Sequence, residues 1–287
     1  MEGNRIVAVA RESEYPIPAS AEVVSLPNAT IMPGFIEQHV HIGMVTVDHK
    51  ATYSIDAYEK VSHAVMELKH LLDAGFTTIR DCGGVTNHLK GAQKQGLIES
   101  PRLFSCGKAI VQTNGHFDMI KSFPIEFNEK GNILAIVCDG ITEMRKAARM
   151  QFREGADFLK CMTTAGVVSQ SGNLNVQEIA DEELRALVEE AQNMGSYVAS
   201  HSIGSKGIKS AIRCGVQSIE HGYFADDKDL DEMAEKGIWL IPTLSSGEVF
   251  MDAVIHNRYP NKIAPWFAEK MKASYEVRHD MVRRARD

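Results

Sequence analysis

Cys214-Gly215-Val216-Gln217-Ser218-Ile219-Glu220-His221 is the clearest copy of the pattern that decides the fold. A glycine ends a helix, a short apolar strand follows, and a chemically capable residue closes the strand. The same unit stands at Asp73-Ala74-Gly75-Phe76-Thr77-Thr78-Ile79-Arg80-Asp81 and at Glu154-Gly155-Ala156-Asp157-Phe158-Leu159-Lys160. It returns at Met194-Gly195-Ser196-Tyr197-Val198-Ala199-Ser200-His201 and at Lys236-Gly237-Ile238-Trp239-Leu240-Ile241-Pro242-Thr243. Each glycine sits where a helix takes a left-handed C-cap before the chain turns into a strand. Single strands alternating with helices imply right-handed crossovers and a parallel sheet.

Outward from these units, the helical spacing of Val61, Val65, Leu68 and Leu72 predicts a helix over 57–72. Asp181 is expected as the N-cap of a helix over 182–194, and helices are also expected over 205–214, 227–235 and 263–286. Phe35–Val40 and Leu103–Ile110 supply two strands outside the repeat, which brings the count to seven. The expected fold is an α/β, TIM-type (β/α)8 barrel over 32–287 that lacks its eighth strand. Residues 1–31 differ: Arg5–Ala10 and Glu22–Leu26 alternate like half-exposed strands around Pro16 and Pro18. They are expected to form part of a small β-sandwich domain.

Length and composition agree with one large soluble domain plus a small piece: 287 residues, 44% hydrophobic and 24% charged, with a net charge of −7. Lys and Arg are scattered, so no nucleic-acid partner is expected. No apolar run reaches membrane-spanning or signal-peptide length, so neither a membrane partner nor export is expected, and a cytoplasmic location is. Cys82, Cys106, Cys138, Cys161 and Cys214 have neither zinc-knuckle nor redox spacing, and read as small buried residues.

In such a barrel the chemistry lies at the C-terminal ends of the strands. His39 and His41 end the first strand, Asp81 the second, Lys160 the fourth, His201 the fifth and His221 the sixth. Residues i and i+2 of a strand share a face, so His39 and His41 can share one metal ion. The competing reading is a polar pair at a strand end. Lys160 lies in the apolar run Phe158-Leu159-Lys160-Cys161-Met162. A buried amine is driven toward its neutral, nucleophilic form. It can form a Schiff base, take up carbon dioxide as a carbamate, or serve as a structural ion pair, here with Asp81. His63 and His70 are expected on a solvated helix face, and His49, His88, His256 and His279 have no partner pattern.

These residues resemble the amidohydrolase superfamily, and within it the imidazolonepropionase-related and prolidase-like branch. The resemblance is carried by Ile31-Met32-Pro33-Gly34-Phe35-Ile36-Glu37-Gln38-His39-Val40-His41, by Gly75–Asp81, by Phe158-Leu159-Lys160 and by Gly204–Gly222, in the right order. It implies two zinc ions: His39 and His41 on the first, His201 and His221 on the second, with a Lys160 carbamate formed from CO2 bridging both. It further implies hydrolysis of amide or peptide-type C–N bonds, in dipeptides or N-acyl amino acids, by a metal-bridging hydroxide. Asn114-Gly115-His116-Phe117-Asp118 is similar to a substrate-contacting loop of the peptidase-like members, which gives His116 a substrate-binding role. Thr164–Ser169 corresponds to a pocket-lining loop.

Three departures stand out. Glu37 replaces the usual Asp, and Ile203 stands where many members have a second His. The family's general-base aspartate ends the eighth strand, so no catalytic residue is assigned, and the chain is expected to be cut at both ends. The alternatives are a non-catalytic truncated metal-binding scaffold, a mononuclear deaminase, and a Schiff-base lyase using Lys160. A homo-oligomer is expected.

Overall fold

The protein is described by a computed structural model, in which residues 1–46, 51, 54–118, 124, 126, 132–170, 172–259 and 263–286 are described. His49 and Asp287 lie outside them. The chain divides into two units, Met1–Pro33 and Gly34–Asp287.

The first unit holds a 3-10 turn at Glu12–Glu14 and an isolated antiparallel bridge between Glu2 and Arg5. The strands expected at Arg5–Ala10 and Glu22–Leu26 do not form: neither segment joins a ladder, and Ile6, Val9 and Val24 are exposed. Two short strands are a marginal sheet by themselves, which accounts for the difference.

The second unit has the expected α/β alternation. In chain order it runs β1 (Phe35–Val40), α1 (Ala57–Asp73), β2 (Phe76–Asp81), α2 (Thr86–Lys94), β3 (Arg102–Ser105), β4 (Ala109–Val111) and β5 (Ala135–Val137). There follow α3 (Gly140–Arg153), β6 (Leu159–Met162), α4 (Asp181–Asn193), β7 (Val198–Ser202), α5 (Ser205–Cys214) and β8 (Ser218–His221). The unit closes with α6 (Asp227–Lys236), β9 (Trp239–Ile241), α7 (Leu244–Ile255) and α8 (Pro265–Arg286). Every strand pair is parallel, in the orders β1-β2-β3 and β5-β4-β6-β7-β8-β9. This is an incomplete TIM-type barrel. No helix among the described residues is long and apolar enough to cross a membrane.

Two details differ from expectation. The strand expected at Leu103–Ile110 is broken into β3 and β4, and β5 is an additional strand paired with β4. The break holds Gly107 at φ 65, where an added Cβ would meet Gln151 Oε1 at 2.4 Å. That Gln151 oxygen accepts the Lys108 amide at 2.7 Å. Asp181 is the first residue of α4, not its cap; the cap position is Ala180, whose amide donates to Glu183. The Asp181 carboxylate is drawn instead to Ser210 and Arg213 of α5.

Period-2 alternation sorts the strand residues. Leu159, Cys161, Val198 and Ile219 pack into the large core shared with the helices, alongside Leu184, Leu187, Ile208 and Ile212. The intervening positions, Lys160 on β6, His201 on β7 and Glu220 on β8, are turned to the barrel interior. All five cysteines are free and buried.

Candidate active site

His39, His41, His116, Lys160, His201 and His221 all line one cavity of about 320 Å³. Alternation along β1 places Glu37, His39 and His41 on one face, and all three reach that cavity. The Nε2 atoms of His39 and His41 are 3.3 Å apart. Two nitrogens each about 2.0–2.1 Å from one zinc ion, at a tetrahedral angle, have about this separation. Both Nδ1 atoms are engaged behind the pair: His39 with Glu220 Oε2 at 2.7 Å, and His41 with the Gly83 carbonyl at 2.9 Å. Such partners fix the tautomer and leave Nε2 as the ligand atom.

His221 reaches the site by a different route. It follows Glu220, which points inward, so plain alternation would send the imidazole outward. His221 instead adopts φ 73, a strained value for a side-chain-bearing residue. Its Nδ1 is 2.6 Å from Thr243 Oγ1, at the end of β9. Thr243 is itself left-handed, at φ 47. The ring centroid of His221 lies 5.1 Å from that of His39 and 4.5 Å from that of His201. The ring centroids of His201 and His116 are 4.3 Å apart.

Lys160 is 1% exposed, and its Nζ has no hydrogen-bond partner among the described residues. Asp81, its expected ion-pair partner, is occupied elsewhere. It accepts Thr86 Oγ1 at 2.7 Å and the Ile42 amide at 3.4 Å, and burial pushes its pKa up to about 7. Burial, then the Lys160 charge, lowers the pKa of His39 to about 4. Burial, with the charges of His39 and Lys160, lowers that of His41 to about 3. His201 and His221 are likewise held well below the ordinary imidazole value, chiefly by burial. Four neutral imidazoles and an unsatisfied amine are therefore gathered where a cation would be accepted.

Beneath them lies a network that sequence reasoning missed. Glu220, fully buried, takes His39 on one oxygen; on the other it takes Arg80 at 2.5 Å and Ser218 at 2.8 Å. Burial pushes the Glu220 pKa up, but the His39 hydrogen bond and the charges of Lys160 and Arg80 outweigh it and keep the carboxylate ionised. The signal was present in sequence: Arg80 and Glu220 are charges at inward positions of apolar strands, as Lys160 is. Ligand atoms of His39, Cys82 and Glu220 all lie within 4.8 Å of one another, a group able to hold a metal ion.

The loop after β6 lines the cavity through Val167 and Val168, and its Ser169 Oγ lies 2.5 Å from His116 Nδ1. The His116 amide donates to Glu178 at 2.7 Å, and Phe117 adopts φ 73. Ile203 also lines the cavity.

The sequence profile of the amidohydrolase family matches residues 30–285. The chain belongs to the amidohydrolase family. It is similar to ochratoxinase of Aspergillus niger, 32% identical over 238 residues, which covers 77% of this chain and 49% of that enzyme. It is also similar to a prolidase complexed with N-methylphosphonate-L-proline, with a TM-score of 0.81 and 28% identity over 92% of this chain and 67% of the other. A Xaa-Pro dipeptidase with bound methionine in its active site gives a TM-score of 0.77 and 31% identity over 88% of this chain and 63% of the other. Within the amidohydrolase family the chain falls in the prolidase and Xaa-Pro dipeptidase-like branch. It spans about half the length of the Aspergillus niger ochratoxinase.

Proposed function

We propose that this chain carries the metal centre of an amidohydrolase that cleaves amide or peptide-type C–N bonds in dipeptides or N-acyl amino acids. The observation that carries this reading is the Lys160 amine, which has no hydrogen-bond partner among the described residues and is buried in one cavity with four imidazoles held neutral. An unpaired buried amine is costly, and uptake of CO2 would convert it into an anion with oxygen ligands. His39 and His41 would hold one zinc ion, His201 and His221 a second, and carboxylated Lys160 both. When bound, the ions polarise a substrate carbonyl and lower the pKa of water.

The surrounding residues have supporting tasks. Glu220 and the Gly83 carbonyl orient His39 and His41, and Thr243 orients His221. His116, steadied by Ser169, is assigned to the substrate. Val167, Val168 and Ile203 give the cavity an apolar wall that limits water.

A second reading places a single ion on His39, Cys82 and Glu220. It is the weaker one. Both Glu220 oxygens are already engaged, and burial pushes the Cys82 thiol up to about 12. Cys82→Ala separates the two, because it abolishes metal binding only in the second.

The activity test is hydrolysis of a panel of dipeptides and N-acyl amino acids, with and without a chelator. Chelator-sensitive turnover restored by zinc is expected. Borohydride trapping of substrate on Lys160 would replace this reading with a Schiff-base lyase.

A further inference from the structure

Phe117 stands in the left-handed region at φ 73, a conformation that suits glycine and strains a residue with a side chain. The buried Asn132 holds the backbone there. Its side-chain nitrogen donates to the Phe117 carbonyl at 2.9 Å, and its side-chain oxygen accepts the Leu134 and Ala135 amides at 2.9 and 3.1 Å. Strain that the surroundings hold in place clusters at functional sites.

The strain sets the phenyl ring, 6% exposed, against two rings of the site. Its centroid lies 5.3 Å from that of His41, edge to face, and 4.4 Å from that of His116. On its other side the ring packs with Ala109, Val111, Leu134, Ala135 and Met162, a small apolar cluster separate from the large core. Phe117 and Met162 also line the cavity, as do Met44 and Val168, which pack against the same cluster. The cluster is therefore open to the cavity, and the ring fills a recess of the cavity wall. Without the ring, that recess has apolar walls and two imidazoles at its mouth. Such surroundings suit an aromatic or a large branched apolar group.

We propose that Phe117 is a specificity-determining residue: its ring occupies the recess beside His41 and His116 and excludes aromatic and other bulky apolar groups of the substrate from that side of the cavity. The proposal rests on the hydrolase reading only in calling the excluded group part of a substrate. Its test reads binding alone.

The experiment is calorimetric titration of the full chain with 3-phenylpropionate and with propionate, in the wild type and in Phe117→Gly. Glycine takes the left-handed backbone without strain, so this change removes the ring and leaves the chain path in place. The two probes share a carboxylate and differ by the phenyl group, so the ratio of their affinities isolates the fate of the ring. That ratio is expected to move at least about tenfold toward 3-phenylpropionate in Phe117→Gly, the scale on which apolar pockets discriminate by size. Phe117→Leu, which leaves the recess partly filled, should move it the same way by less, and it answers the question where the glycine variant does not fold. A ring that only fills the core would leave a sealed apolar hole. The variant would then bind toluene with no gain for 3-phenylpropionate, because the charged tail cannot enter with the ring. That result, or an unmoved ratio, overturns the proposal. Zinc content, measured on the same samples, reports separately on the hydrolase reading.

Discussion

Glu220→Gln keeps the shape of its side chain and removes the charge that orients His39. Second-layer partners of this type are worth about 10- to 100-fold in metal affinity. Competition against a fluorescent zinc chelator should therefore show a loss of that size, with Arg80 left as an uncompensated buried cation. Unchanged affinity would mean that His39 is oriented by its packing alone. The sequence made His39, His41, Lys160, His201 and His221 legible as candidates because each closes a short apolar strand, the last three within the repeating unit. It left Arg80 and Glu220 unread because their pairing joins β2 to β8 across 140 residues, and no local pattern encodes that contact. How His221 enters the cavity is not legible in the sequence: alternation alone turns it outward, and the positive φ brings it in.

Between elements, two close contacts can be tested. Gly204, between β7 and α5, has no space for a side chain: an added Cβ would lie 2.2 Å from the Leu174 carbonyl oxygen. Gly204→Ala should cost about 1–3 kcal/mol of stability by overpacking, read by denaturant unfolding. It should also disturb His201, three residues away. A neutral effect would show that the loop carrying Leu174 yields freely. Helices α3 and α4 are joined by Glu190, which receives Arg149 at 2.7 and 2.8 Å and Arg145 at 2.9 Å. Chiefly through Arg149, its pKa is lowered to about 2. A depressed carboxylate stabilises the fold above its unfolded pKa, and the contribution is lost as pH falls through the folded value. Glu190→Gln should thus lower Tm by about 2 °C at pH 7, the solvent-facing arginines limiting the effect. The gap between wild type and variant should close between pH 4.5 and 2. The repeat units were legible because each carries a glycine after an amphipathic helix. The break after β3 and the added β5 were not, since a three-residue strand leaves no periodicity to read.

At the scale of the molecule, the unpaired edges govern behaviour in solution. Among the described residues, β1, β3, β5 and β9 each have a strand neighbour on one side only. Trp239, on β9, is 71% exposed. Such edges favour pairing with another chain. Light scattering at micromolar concentrations should report species larger than a monomer, and Trp239→Lys should shift the population downward. A monodisperse, cooperatively unfolding wild-type monomer would contradict this. The barrel class was legible from the alternation of helices and single strands. The state of residues 1–33 was not, because alternating apolar residues describe a strand only when another strand is there to pair with it.

The central claim is that Lys160 and the four histidines form one metal centre. It is tested most directly by elemental analysis of the chain expressed with zinc and bicarbonate, beside Lys160→Met. Methionine fills similar volume without an unsatisfied amine, so the variant should fold at least as well. The account predicts close to two zinc ions per wild-type chain and a loss of at least one in the variant. A metal-free wild type, or equal metal in both proteins, would contradict it.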